Sequence, residues 1–242
     1  MDTKEETQDF ASVSFVSFVV IQTMKKAFLP LLIIAAAMFA YAPIIIAKAK
    51  FESTMFLLQK IMYFHVPSWF AMFTAIAISA LGGVWYIFKN DKRGDQLAVA
   101  GAEVAVMFGL MGLTTGPLWA YKAWGVAWQW DGRLTIALLL ELTFIAYLLL
   151  RKYGGPGSDK LSAGVALFGL ANVPFVYYAV QLWRTIHPLN TVVPSLPVGM
   201  REAFWFSVFS FLVLMTLLVA LRARLERLRA TLDELYLADD ES

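Results

Sequence analysis

Six long apolar runs constrain this 242-residue chain more than any other feature of its sequence. A helix needs about 17–25 predominantly apolar residues to cross the hydrocarbon core of a bilayer, and each run is that long. The runs also lack the polar–apolar alternation that is typical of strands in a membrane barrel. The sequence therefore predicts an all-α, polytopic membrane protein with six transmembrane helices. They cover residues 27–47, 68–88, 97–118, 134–150, 161–182 and 203–221.

The distribution of Lys and Arg predicts the orientation of these spans. If the N-terminus is cytoplasmic, thirteen of the 20 basic residues lie inside and seven lie outside. The outside residues are Lys48, Lys50, Lys60, Lys122, Arg133, Arg184 and Arg201. Because cytoplasmic loops carry the excess of positive charge, we expect both termini to be cytoplasmic.

The two ends of the chain differ from its middle, so we divide it into an N-terminal extension (1–23), a six-span membrane domain (24–222) and a cytoplasmic tail (223–242). The apolar run 10–22 is too short to span, which leaves an upstream extension, an interfacial segment or a targeting remnant. We favour the extension, since Met24 begins a typical membrane-protein start, "MKKAFLPLLII". In the tail, leucines at heptad spacing predict an amphipathic helix that continues the sixth span, either solvated or docked on a partner. These are Leu221, Leu225, Leu228, Leu232 and Leu235.

Chemistry inside the spans is sparse. The chain has no cysteine, which excludes disulfides and thiolate metal sites. Glu103 and Glu141 are the acidic residues within the predicted spans, and we predict structural roles for both. Gly112 and Gly116 form a small-residue pair that predicts close helix packing.

Tryptophans cluster in the stretch "AWGVAWQWDGRLT", residues 123–135. Trp124, Trp128 and Trp130 lie within it and Trp119 lies just upstream, so half of the eight tryptophans fall within twelve residues. A membrane-interface belt draws its tryptophans from many helix ends, whereas this set comes from one loop. The cluster predicts an aromatic wall, whether the segment is helical or extended.

The two histidines of the chain fall at the same predicted membrane face. His65 lies in "KIMYFHVPSW", where Pro67 suits the first turn of the second span and would leave His65 just outside the helix. Upstream, a stripe of Phe51, Met55, Leu58 and Met62 predicts an interfacial helix that leads towards His65. His187 lies in "LWRTIHPLN", after the fifth span.

Imidazole is a ligand that suits iron and zinc. A zinc site would require a third ligand, for which Asp131 is the only obvious candidate. Haem needs one or two axial ligands, a broad apolar surface and cations for its propionates. The aromatic wall, the two histidines and the loop cations together predict a platform for a flat cofactor at the outer surface.

These motifs resemble a known family. "TTGPLWA" and "WGVAWQWDGRLT" are similar to the tryptophan-rich signature of the haem-handling proteins of cytochrome c biogenesis. "KIMYFHVPSW", "LWRTIHP" and six spans resemble the CcmC branch of that superfamily, over residues 27–222. The resemblance implies non-covalent haem b at the periplasmic face of the bacterial inner membrane, held between His65 and His187 as axial ligands.

The resemblance also implies roles for other residues and for partners. The implied haem platform is Trp119, Trp124, Trp128, Trp130 and Asp131. Lys60 and Arg133 match basic positions near the propionates, and we add Arg184 from its charge and its position in the sequence. The implied partners are a membrane-anchored haem chaperone, a small helical accessory subunit, ATP-driven transporter subunits and the lipid bilayer, with no nucleic acid.

The function implied is presentation of haem to the chaperone during cytochrome c maturation, without catalytic residues. One alternative is the permease subunit of an ATP-driven exporter of haem or another amphiphile. It would need polar groups along a continuous path, for which the spans offer Glu103 and Glu141. Another alternative is a haem-dependent redox enzyme on the quinone side of the membrane.

Overall fold

A computed structural model of the chain describes residues 28–52, 55–188 and 193–240. It contains six helices that are long and apolar enough to cross a membrane, which confirms the predicted fold class. The helices are α1 (Phe28–Lys48), α2 (Met62–Lys89), α3 (Lys92–Trp124), α4 (Gly132–Tyr153), α5 (Ser158–Leu182) and α6 (Val198–Asp240). The predicted extension, residues 1–23, and the apolar run 10–22 lie outside the described residues.

The start of α2 differs from the prediction. A 3-10 helix, Leu57–Ile61, runs directly into α2, which begins at Met62 and contains Pro67. His65 therefore lies in the first turn of the helix instead of outside it. Pro67 is the sixth residue of α2 and so removes one backbone hydrogen bond of the helix, while the Ser68 hydroxyl donates a hydrogen bond to the His65 carbonyl (2.6 Å). The predicted interfacial helix upstream is reduced to the 3-10 turn.

Helices α2 and α3 form a tightly packed antiparallel pair, joined by a turn at Asn90 and Asp91. Glycines allow the two backbones to approach each other. A Cβ atom on Gly101 would lie 2.7 Å from the Ser79 backbone nitrogen. The Ser79 hydroxyl also donates a hydrogen bond to the Ala98 carbonyl (2.8 Å). Since α2 also contacts α5 and α6, it forms the centre of the bundle.

The connectivity defines two ends of the bundle. The short turns between α2 and α3 and between α4 and α5 lie at what we call the distal end. The described residues 49–52, 55–61, 125–131, 183–188 and 193–197 lie at the other end, which we call the cavity end. Ion pairs join the helices towards the distal end: Asp95 with Arg151 (2.6 Å), and Glu103 with Arg222.

Helix α6 is the longest element, with 43 residues from Val198 to Asp240. The predicted continuation of the sixth span as a helix is therefore confirmed. Leu221, Leu225, Leu228 and Leu232 are each 39–54% exposed on this continuation.

Candidate functional site

A cavity of about 580 Å³ lies at the cavity end of the bundle. Its wall is formed by α2 to α6 and the segments that connect them, and it is largely apolar. Both histidines and Arg133 line it. The indole and phenol side chains in the wall belong to Trp69, Trp119, Trp124, Trp128, Tyr177 and Trp205.

His65 is held by a hydroxyl group on the neighbouring helix. Its Nδ1 lies 3.0 Å from the Oγ1 of Thr115. The Thr115 hydroxyl donates its own hydrogen to the Met111 carbonyl (2.7 Å), so it accepts from His65. The imidazole therefore carries its hydrogen on Nδ1, which leaves the Nε2 lone pair available to a metal ion.

His187 adopts the same tautomer for a different reason. Its Nδ1 lies 3.0 Å from the carbonyl oxygen of Pro188, and a carbonyl oxygen can only accept. Burial, together with the nearby Arg133 guanidinium, lowers the pKa of His187 to about 3. The ring is therefore neutral at pH 7 and has Nε2 available as a ligand atom. The two imidazoles lie close enough to interact electrostatically.

Asp131 connects the tryptophan segment to the segment that carries His187. Its Oδ1 accepts a hydrogen bond from the Leu134 backbone N–H (2.9 Å), which caps the N-terminus of α4. Its Oδ2 accepts from the Thr185 hydroxyl (2.6 Å) and from the Ile186 N–H (3.2 Å). Thr185 in turn accepts from the His187 N–H (3.0 Å). We call this arrangement the Asp131 latch; Asp131 does not line the cavity.

The sequence left open whether the tryptophan segment is helical or extended, and the structure contains both conformations. Helix α3 continues to Trp124 and ends at Gly125, whose positive φ of 76° favours glycine. Trp119 and Trp124 therefore project from a helix, with ring centroids 4.6 Å apart, whereas Trp128 and Trp130 follow on a non-helical segment, 5.6 Å apart. Trp130 is 76% exposed and does not line the cavity.

The predicted cations are divided between the cavity and the surface. Arg133 lines the cavity and interacts electrostatically with Asp131 and Tyr177. Lys60 donates hydrogen bonds to the carbonyls of residues 46, 47 and 49, which caps the C-terminal end of α1. Arg184 is exposed and does not line the cavity.

Several cavity residues were not predicted from the sequence. Trp69 lines the cavity next to His65, with ring centroids 6.2 Å apart. A Cβ atom on Gly112 would lie 2.6 Å from the Trp69 ring, and one on Gly116 would lie 3.0 Å from His65. The glycine pair thus allows rings of α2 to approach α3 closely. Trp69 is the last residue of the motif "KIMYFHVPSW", and its place four residues after His65 is the sequence signal that could have predicted it.

The wall also contains polar atoms that could bind a ligand. The Trp128 indole N–H is buried and has no hydrogen-bond partner among the described residues. The Gln59 Oε1 atom, also in the wall, is likewise buried without a partner in this part of the chain. Buried polar groups are normally hydrogen-bonded, so both atoms are available to the polar substituents of a ligand.

Comparison with known families identifies the chain. A family model described as "Heme exporter protein C" matches residues 10–237. The chain belongs to the CcmC family. It is 30% identical to heme exporter protein C of Escherichia coli (strain K12) over 194 residues, 74% of this chain and 76% of that protein. It is 32% identical to the protein of the same name from Bradyrhizobium diazoefficiens over 165 residues, 66% of this chain and 61% of the relative.

A plant protein is also similar. A putative cytochrome c biosynthesis ccmC-like mitochondrial protein from Arabidopsis thaliana is 28% identical over 171 residues, 69% of this chain and 65% of that protein. Membership of the CcmC family, together with these relatives, assigns the chain a role in haem handling for cytochrome c maturation. The six helices make it a multi-pass membrane protein.

The cavity of this CcmC protein suits haem as cargo. A volume of about 580 Å³ lies within the roughly 300–1,000 Å³ typical of cofactor sites. Two neutral imidazoles with Nε2 available suit iron, and the apolar wall suits a porphyrin ring. The Arg133 guanidinium and the Trp128 N–H are donors for anionic substituents.

Proposed function

We propose that this CcmC protein binds haem b non-covalently in the cavity and presents it to a membrane-anchored haem chaperone. The observation that carries the proposal is that His65 and His187 line one apolar cavity, each with Nδ1 committed to a protein acceptor and Nε2 available. Iron supplies two axial coordination positions, which the two Nε2 atoms would fill.

Each surrounding group has a task in this function. Thr115 and Pro188 orient the imidazoles, and the Asp131 latch holds the His187 segment against α4. Arg133 and the Trp128 N–H would bind the propionates. We assign no platform role to the Trp130 ring, since it lies at the surface.

We further propose that the cavity faces the periplasm and that the protein resides in the bacterial inner membrane. The excess of Lys and Arg near the distal end supports this orientation. Handover then requires the chaperone to approach the cavity end from the aqueous side. ATP-driven transporter subunits and a small helical subunit are the further partners we propose within the membrane.

The visible absorption spectrum of the detergent-purified protein tests haem binding. We expect a Soret band that shifts towards a singly ligated form in His65→Gly and in His187→Gly. Added imidazole should restore the wild-type spectrum in both variants, because it replaces the missing ligand in a folded cavity. Gln129→Ala alters an exposed residue of the tryptophan segment and serves as the matched control.

The handover is tested separately by mixing the haem-loaded protein with the haem chaperone and measuring transfer of the Soret band. Wild-type transfer by both glycine variants would refute the ligand assignment. A protein that stays colourless after haem addition would refute haem binding and favour the permease alternative.

A further inference from the structure

A carboxyl group lies directly beneath the cavity in the middle of α4. Glu141 is four residues, about one helical turn, from Ala137, which lines the cavity. The Glu141 side chain is 1% exposed. Neither carboxyl oxygen has a hydrogen-bond partner among the described residues. The function proposed above does not use this group.

The surrounding helices form a niche for this carboxyl. A Cβ atom on Gly109 of α3 would collide with the Glu141 carboxyl and approach the Met72 methyl group (3.0 Å). Gly109 therefore leaves the space that the carboxyl occupies. Each neighbour is close to the cavity wall: Gly112 lies three residues along α3, and Phe73 follows Met72 on α2. The niche thus lies within about one helical turn of residues in the cavity wall.

The ion pairs of the described residues, Asp95 with Arg151 and Arg222 with Glu103 and Glu226, do not include Glu141. An ionised carboxylate in such a site lacks both a counter-ion and hydrogen bonds, so the neutral acid is strongly favoured. The titratable groups on the helices around it include His65 and Arg133 towards the cavity end, Tyr177 on α5, and Tyr147, Asp95, Arg151, Glu103 and Arg222 towards the distal end.

We propose that Glu141 is a proton-exchange site that responds to charge in the cavity. The group is a neutral carboxylic acid while the cavity holds no positive charge. When a ligand with a cationic core enters, the O–H bond breaks, the carboxylate keeps the electron pair and the proton passes to bulk water. The carboxylate then lies one to two helical turns below the ligand and stabilises it, because charges interact strongly over such distances in a low-dielectric interior.

This inference takes its class of ligand, a metalloporphyrin, from the proposed function. The protonation state of Glu141 does not depend on that function. A ferric porphyrin core carries a net charge of about +1, since the trivalent ion exceeds the two negative charges of the macrocycle. A porphyrin core with a divalent ion is neutral. The site would therefore distinguish the two charge states of the same flat ligand.

Infrared difference spectroscopy of the full chain in phosphatidylcholine vesicles tests both parts. The first measurement compares the ligand-free wild type with Glu141→Gln, which keeps the size and neutrality of the side chain. We expect a protonated-carboxyl stretch in the wild type that is lost in Glu141→Gln. Glu103→Gln is the matched control, because Glu103 forms an ion pair with Arg222, and it should retain the band.

The second measurement adds gallium(III) protoporphyrin or zinc(II) protoporphyrin, which are redox-inert and differ by one core charge. We expect the gallium compound to remove more than half of the Glu141 band and the zinc compound to leave it unchanged. A pH indicator should record the released proton with the gallium compound, and Glu141→Gln should abolish that release.

The outcomes separate the two proposals. If the ligand-free protein has no band sensitive to Glu141→Gln, Glu141 is ionised and the inference is overturned. If both porphyrins bind but the band does not respond to gallium, the coupling to charge is overturned. If neither porphyrin binds and the band is present, the proposed function fails while the protonated state of Glu141 stands.

Discussion

Replacing Asp131 with Asn should separate the two tasks of this carboxylate. Asparagine is as good an N-cap as aspartate, so the bond from Leu134 to residue 131 is retained and α4 keeps its cap. The amide nitrogen of asparagine cannot accept a hydrogen bond. The bond from the Ile186 N–H is therefore lost, and the Thr185 hydroxyl must turn to accept from the amide, which replaces a charge-assisted bond by a weaker neutral one.

The magnitude follows from those two bonds. A hydrogen bond to a charged group contributes about 1.5–3 kcal/mol. Asp131 is partly exposed, so solvent screening reduces each contribution, and we expect a net loss on the order of 2 kcal/mol for the pair. Since about 1.4 kcal/mol corresponds to a factor of ten, the docking equilibrium constant of the His187 segment should fall roughly 30-fold, and the haem affinity should fall by up to that factor.

Haem titration followed by the Soret band measures this change. Asp131→Asn should bind haem up to roughly 30-fold more weakly and give a spectrum closer to that of His187→Gly than to the wild type. Thr185→Val removes the bond to Asp131 and also the acceptor of the His187 N–H, so it should weaken haem binding at least as much. Wild-type affinity in Asp131→Asn would refute the latch. Weaker binding with an unchanged two-histidine spectrum would show that Asp131 contacts the ligand directly.

Three further predictions concern the cavity wall. Trp128→Phe removes a buried indole N–H and should weaken haem binding by about tenfold, whereas Trp130→Phe, at the surface, should leave it unchanged; equal effects in a haem titration would contradict the assignment. Thr115→Val removes the acceptor for His65 Nδ1 and should lower haem affinity roughly tenfold, the loss typical when the hydrogen-bond partner of a ligand histidine is removed. An unaltered affinity would mean that packing alone orients the ring. The pKa of His187 is about 3 in the folded protein and about 6.5 when unfolded, so the unfolded state binds more protons between these values. Acidification from pH 7 to 4.5 should therefore remove about 2 kcal/mol of stability. The thermal midpoint of ligand-free His187→Gln should fall less than that of the wild type over the same range; equal shifts in the two proteins would contradict the prediction.

The features of this protein that could be predicted from its sequence are those set by local composition. The six apolar runs were enough to predict the six spans, because the thickness of the bilayer sets the length of a membrane helix. The predicted start of α2 was wrong because Pro67 lies inside the helix instead of in its first turn. The apolar residues before Pro67 are also helical, so the helix begins at Met62.

Site residues depended on contacts that the sequence does not display. The family resemblance selected Lys60, and charge and position in the sequence selected Arg184, but neither shows which cations line a cavity. Lys60 caps a helix instead. The hydrogen bond between Asp131 and Thr185 joins residues 54 positions apart, so no local pattern could indicate it. Both histidines that line the cavity were candidates from the sequence, because the chain contains only these two.

Helix α6 has a mechanical consequence that follows from its length. At 1.5 Å per residue, its 43 residues extend about 64 Å, roughly twice the thickness of a bilayer core. Its first turns carry Met200 and Trp205 in the cavity wall, while Arg222 holds its middle to α3. The sequence from Met200 to Asp240 contains neither proline nor glycine, so the rod has no built-in joint. By geometry alone, a rigid tilt of about 5° about the Arg222 contact would displace the first turn of the helix by roughly 3 Å.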